Sequence, residues 1–211
     1  MKFKNLEQIT GTTRIWTPEL DITLPIDCAD IPDFQEWVNW SGWKGYSPDH
    51  KAFDFAAYLT KDERCILGLP KETPVRAIAD GVVRQTSYGL ADVPYACFMN
   101  IEHSIKNSGL FTSYYHIDPK VKTGQEVKKG DIIATLYKDE GSDEGKLVHL
   151  HFEMRNGWEI NDRIVNPETI FHRLNQYSAI PQGNPEFKIL GLEKQPDIHL
   201  ANFKKLLVDN T

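Results

Sequence analysis

The run Val148-His149-Leu150-His151-Phe152-Glu153-Met154 holds the residues of this chain best suited to chemistry. As a strand it alternates: Val148, Leu150, Phe152 and Met154 face one way, and His149, His151 and Glu153 the other. Side chains two apart on a pleat are separated by roughly 6.6 Å, so the two imidazoles project into one space. An imidazole binding a metal beside another moving a proton needs such spacing; a polar strand face with two chance histidines is the bland competitor. A second set lies in His50-Lys51-Ala52-Phe53-Asp54-Phe55-Ala56-Ala57-Tyr58-Leu59. Phe53, Phe55, Ala57 and Leu59 share one parity and read as the core face of one strand, while His50 and Asp54 share the other. On a straight strand those two would stand roughly 13 Å apart, too far to touch one ion. His50 is therefore expected in a bend before the strand, where Ser47-Pro48-Asp49 supplies turn chemistry. A third strand-like run, Phe111-Thr112-Ser113-Tyr114-Tyr115-His116, also ends in a histidine, and Asp118-Pro119 follows as a stop.

Together, His50-x-x-x-Asp54, Tyr114-x-His116 and His149-x-His151 resemble the LytM/lysostaphin-type zinc endopeptidases, which cut peptides of bacterial cell walls. The resemblance extends to Thr73-Pro74-Val75-Arg76-Ala77-Ile78-Ala79-Asp80-Gly81-Val82-Val83, similar to a strand pair of that family, and to Asn100-Ile101-Glu102-His103, similar to its central strand. Residues 121–134 resemble its Gly-Gln and Lys-Lys-Gly hairpin, and Val165-Asn166-Pro167 the element that closes the domain. These motifs run in the family's order from His50 to Phe171, more than half of the 211 residues.

The resemblance implies a mainly β fold: an antiparallel LytM-type sheet core (a duplicated hybrid motif) with short terminal helices and the site in a groove across the sheet. It implies one Zn2+ per chain, held by His50, Asp54 and His151, with water completing a four-coordinate catalytic site. His116 and His149 would share the cleft as the catalytic, non-ligating pair, serving as base and oxyanion donor in either order. The chain has no H-E-x-x-H helix, so no glutamate base of that kind is expected. The implied activity is zinc-dependent hydrolysis of peptide bonds, in peptidoglycan stem or cross-bridge peptides. The alternatives are a catalytically idle relative that binds wall peptides or a partner protein, against which the intact site residues argue, and a zinc peptidase acting on intracellular peptides.

Several residues around this set admit two readings. Tyr114 shares the parity of His116 and either lines the site or, more simply, packs. Glu153 either orients one imidazole or is a surface carboxylate. His103 reads as structural, and His172 and His199, outside the motifs, as surface residues. Ala52 stands where the family's H-x-G-x-D has glycine. The loop before the histidine pair carries Asp139, Glu140, Asp143 and Glu144, which would disfavour anionic peptides if they wall the groove. Trp37, Trp40, Trp43 and Tyr46 either floor a groove or, the favoured reading, cover the sheet's apolar edge. In some members of the family that this chain resembles, an N-terminal segment occludes the zinc, a role residues 1–46 could take here, with Asn39 or Asp49 as a fourth ligand.

Bulk properties set the frame. A chain of 211 residues suits one ordinary domain with appended segments. We divide it into an N-terminal extension (1–46) packing on the core, a LytM-type domain (47–176) and a C-terminal extension (177–211). A strand is expected over 187–190 and helices over 167–176 and 197–207. The net charge of −6 without a basic cluster argues against nucleic acid and anionic membranes as partners. No apolar run is long enough for a transmembrane segment, and no apolar stretch near Met1 suggests a signal peptide, so a cytoplasmic location is expected, or the cell envelope for a chain whose leader has been removed. No feature bears on oligomeric state. Cys28, Cys65 and Cys97 include no C-x-x-C pair and read as buried free thiols. Gly81, Gly124 and Gly130 read as turn residues needing positive φ or tight hairpins. A lipoyl- or biotinyl-like carrier domain uses similar turns, but it leaves all five site residues without a role.

Overall fold

The computed structural model describes residues 22–38, 50–62, 64–87, 97–104, 109–137, 148–157, 163–165, 167 and 187–189. A 3-10 turn at Cys28–Asp30, capped by the Asp27 carboxylate accepting from the Ala29 N–H, leads into β1 (Phe34–Trp37). Then come β2 (Phe53–Phe55), β3 (Ala57–Thr60), β4 (Cys65–Leu67), β5 (Pro74–Arg76), β6 (Gly81–Ser87), β7 (Phe98–His103) and β8 (Leu110–Tyr115). The rest are β9 (Ile117–Pro119), β10 (Glu126–Val127), β11 (Ile132–Leu136), β12 (Leu150–Asn156), β13 (Arg163–Val165) and β14 (Phe187–Ile189).

The largest sheet has the order β10-β6-β7-β8-β12-β13, with β2 also paired to β12. Along one edge of β12, residues 150–152 pair with β2 and residues 154–156 with β13, while β8 runs along the other edge. Two smaller sheets, β1-β3-β4-β14 and β5-β11-β9, complete the described core. All pairings among these strands are antiparallel except β14 with β4. The mainly β, largely antiparallel architecture is the one expected. The extensions contribute strands: β1 from residues 1–46 and β14 from residues 177–211 both join the β3–β4 sheet.

Alternation on β12 does the sorting. Leu150, Phe152 and Met154 are wholly buried. Phe152 lies opposite Phe53 on one neighbour and Tyr114 on the other, with ring centroids 5.3 Å from Tyr114 and 6.2 Å from Phe55. Aromatic pairs of this kind add about 0.5–1.5 kcal/mol beyond the area they bury. Trp37 packs edge-on against Phe55 at 5.1 Å and is buried, so it covers apolar surface; Trp40, Trp43 and Tyr46 lie outside the described residues.

Four local expectations are corrected. The run 53–59 is two strands in two sheets: the chain breaks at Ala56, so Tyr58 is buried and Leu59 only half-buried. Residues 121–134 are not a paired hairpin, since β10 pairs with β6 while β11 pairs with β5 and β9. The Lys129-Gly130 turn carries the chain between sheets instead. Gly124 and Gly130 do adopt φ of +86° and +87°, but Gly81 has a different reason to be glycine. A Cβ there would meet the Glu102 carbonyl oxygen at 2.5 Å, so the approach of β6 to β7 excludes any side chain. Finally, Cys65 and Cys97 are buried and in no disulfide, whereas Cys28, also in no disulfide, is only half-buried. The helix expected over 167–176 lies outside the described residues except for helical Pro167. The 197–207 helix, the 138–147 loop, Asn39, Asp49, His172 and His199 lie wholly outside them. No helix among the described residues is long and apolar enough to cross a membrane.

Candidate active site

The face of β12 opposite the core carries the candidate residues. His151 lies in register with Asp54 on β2 and with Tyr115 on β8, so three side chains form a row across three strands. His50 precedes β2 in an irregular stretch, as expected from its distance along the chain, and folds back to Asp54. His50 Nε2 stands 3.2 Å from Asp54 Oδ2 and 3.3 Å from His151 Nδ1, and His151 Nδ1 is 2.9 Å from Asp54 Oδ1. Both His50 and Asp54 are buried at 6% exposure, and Ala52 is buried without preventing this convergence.

This cluster fits a metal. Tetrahedral zinc with bonds near 2.0–2.1 Å has donor–donor edges of about 3.3–3.4 Å, close to the separations seen. Asp54 Oδ1 is buried with no hydrogen-bond partner despite its closeness to His151 Nδ1: the atoms approach without hydrogen-bond geometry. Two imidazole nitrogens and a carboxylate converging this way, one oxygen unsatisfied, are the ligand types that catalytic zinc sites use and could hold a metal ion. The carboxylates here favour positive charge. Burial opposes ionisation of Asp54, yet the His151 and His50 imidazoles, helped by His149, hold its carboxyl well below the usual range. Burial also opposes protonation of His151, but the Asp54 and Glu153 carboxylates outweigh it and raise the imidazole to about 9.

Beside the cluster lie His116 and His149, with ring centroids 4.6 Å apart. The His116 ring is 6.1 Å from that of His151. Both are half-buried. All five residues singled out in the sequence are therefore brought together, three as a cluster of potential ligands and two as a neighbouring pair. His116 reaches the site by an unusual backbone: its φ is +62°, a left-handed conformation, just after β8 ends. Its N–H donates to the Cys97 carbonyl at 3.0 Å, and its carbonyl accepts from Tyr137 N–H at 2.9 Å, which holds that conformation.

The same turn overturns the placement of Tyr114 on the face of His116. Parity fails at a left-handed residue, and Tyr114 is fully buried, its hydroxyl accepting from Ile78 N–H at 3.3 Å. Tyr115 is the tyrosine at the site. Its ring stands edge-on to His151 at 5.3 Å and beside Phe98 at 5.6 Å, and burial together with Glu153 pushes its hydroxyl up. The sequence signal was the Tyr114-Tyr115 doublet itself, since only one of two adjacent strand residues can face the core. Arg155 was also missed, although it lies two residues beyond Glu153 on the histidine face. His103 is structural as read: it is buried, with Nε2 2.7 Å from Thr112 Oγ1 and Nδ1 3.1 Å from the Ala79 carbonyl.

Comparison with known proteins adds the following. The family model described as peptidase family M23 matches residues 64–167, a span that contains His116, His149 and His151 and begins after His50 and Asp54. The peptidoglycan DD-endopeptidase ShyC of Vibrio cholerae serotype O1 is 38% identical over 142 residues. That match covers 67% of this chain but only 29% of the relative's length. Among solved structures, the antimicrobial peptidase lysostaphin from Staphylococcus simulans aligns with 78% of this chain and 59% of its own, at 17% identity and a TM-score of 0.49. A zinc containing peptidase from Vibrio cholerae aligns with 75% of this chain and 40% of its own, at 25% identity and a TM-score of 0.43.

Proposed function

We propose, from the premise that residues 64–167 make this chain a member of peptidase family M23, that it is a zinc-dependent endopeptidase cutting peptide bonds in peptidoglycan stem or cross-bridge peptides. The observation that carries the zinc reading is the convergence of His50 Nε2, the Asp54 carboxylate and His151 Nδ1 around an unsatisfied buried oxygen. Those three residues would hold the ion. Zinc held there supplies Lewis acidity, polarising an acyl oxygen and easing loss of a proton from water.

The chain's own groups do the rest. Asp54, the single carboxylate of the set, stays ionised and is held by the pairing of β2 with β12, so the ligands need little reordering. His116 and His149 are adjacent to the cluster without belonging to it, which suits one to take a proton from the attacking water and the other to donate toward the oxygen that gains charge. The buried aromatic face behind β12 keeps these positions fixed. The peptidoglycan assignment is supported by the 38% identity to a peptidoglycan DD-endopeptidase, shared over 29% of that protein.

Zinc analysis of the purified chain, followed by incubation with isolated wall sacculi and with unrelated peptides, tests this. We expect about one zinc per chain and chelator-sensitive release of peptide fragments from sacculi. Cleavage of the unrelated peptides alone would discard the wall substrate and keep the peptidase. Zinc binding with no cleavage of either would favour an idle wall-binding relative.

A further inference from the structure

The histidine face of β12 continues past the candidate ligands into a line of charge. His151 Nδ1 points to Asp54 and His50, and its other ring nitrogen, Nε2, lies 3.4 Å from Glu153 Oε1. The second Glu153 oxygen accepts from Arg155 Nε at 2.9 Å and also from Arg155 Nη2. The three residues are spaced two apart on one strand, so the pleat alone lines them up. The Glu153 and Arg155 side chains are only 14% and 18% exposed, which makes this a largely desolvated pair rather than a surface one.

A neutral imidazole has one N–H and one lone pair, and a metal needs the lone pair. Which nitrogen offers it depends on what the other one meets. We propose that Glu153, itself fixed by the two-pronged contact of Arg155, is a positioning residue for His151: its carboxylate accepts a hydrogen bond from Nε2–H, holds the proton on that nitrogen and so leaves the Nδ1 lone pair for the metal. This rests on the reading of His50, Asp54 and His151 as ligands. Glu153 touches neither metal nor substrate, and its effect is exerted through ring orientation and tautomer. Partners of this kind typically change metal affinity on the order of 10–100-fold.

Zinc titration against a competing chelator measures this without reference to turnover. Glu153→Gln keeps the shape but loses the charge and leaves a single acceptor oxygen where the carboxylate offers one to His151 and another to Arg155, and is expected to weaken zinc binding by about 10-fold. Glu153→Ala alone would strand Arg155, so Glu153→Ala/Arg155→Ala is the stronger variant, expected to approach a loss of about 100-fold. Ile101→Val, a core change away from the site, controls for loss of stability and should leave zinc affinity at the wild-type value. Nitrogen-15 NMR of the zinc-loaded protein should show His151 protonated at Nε2. Unchanged zinc affinity in both Glu153 variants, or a His151 proton on Nδ1 in the zinc-loaded form, would overturn the inference. His151→Ala separates the two layers: if that variant holds zinc as wild type does, the ligand reading itself falls and this one with it. If it loses zinc while both Glu153 variants keep wild-type affinity, only the positioning role falls.

Discussion

Acid should loosen this fold through a residue far from its chemistry. His103 is 4% exposed at the end of β7. Its Nδ1 faces two backbone carbonyls, those of Ala79 at 3.1 Å and Asp80 at 3.3 Å, so it carries the ring proton. Nε2 then accepts from the Thr112 hydroxyl at 2.7 Å, and the neutral ring is satisfied on both sides. Burial disfavours the charged form; the carbonyls of Asp80 and Ala79 oppose it only in part, and the pKa falls from 6.5 to about 4. At about pH 8 the ring is neutral in folded and unfolded chains alike. As pH drops through 6.5 the unfolded chain takes up a proton that the folded one refuses, so stability is lost between the two values. The loss is about 2 kcal/mol at pH 5 and approaches about 3 kcal/mol below pH 4. Urea unfolding of chelator-treated wild type and His103→Gln, followed from about pH 8 to pH 5, isolates this term because every other group titrates in both. The variant should start less stable, having lost ring contacts, but its disadvantage should shrink by about 2 kcal/mol over that range. Parallel stability curves for the two proteins would refute the reasoning.

Three further outcomes are expected. His151→Ala should lose its zinc by elemental analysis while keeping its circular dichroism, because the apolar faces of β2, β8 and β12 carry the packing. His116→Ala and His149→Ala should each retain zinc and lose about 10²- to 10⁴-fold in hydrolysis, the usual worth of general acid–base help; wild-type rates would remove them from the mechanism and zinc loss would make them ligands. Tyr114→Phe leaves the Ile78 N–H without its acceptor and should cost about 1–3 kcal/mol in unfolding experiments, with kcat/KM unchanged; a matching fall in kcat/KM would return Tyr114 to the site.

The sequence carried the grouping of the candidate residues better than it carried the sheets, for a physical reason. Side-chain parity is a local property of a pleat, so His149, His151 and Glu153 could be assigned to one face and Leu150, Phe152 and Met154 to the other without knowing what lay beside them. Parity fails where the backbone leaves the extended region, and it failed twice. At Ala56 the chain passes from one sheet to another, and Tyr58 replaces Leu59 on the buried side. At His116 a φ of +62° rotates the histidine away from the side of Tyr114. Nothing in the residue type announces that turn: a histidine in the left-handed region is stabilised by contacts to Cys97 and Tyr137, both remote from it in hydrogen-bonding register until the fold exists. Pairing partners were hidden for the same reason. That β10 and β11 belong to different sheets depends on what β6 and β5 offer, and a turn of the Lys-Lys-Gly type serves either outcome. The motif order along the chain supplied what parity could not. It gathered residues as far apart as His50 and His151 into one set before any pairing was known, and the register of β12 with β2 turns that set into a site by placing His151 opposite Asp54.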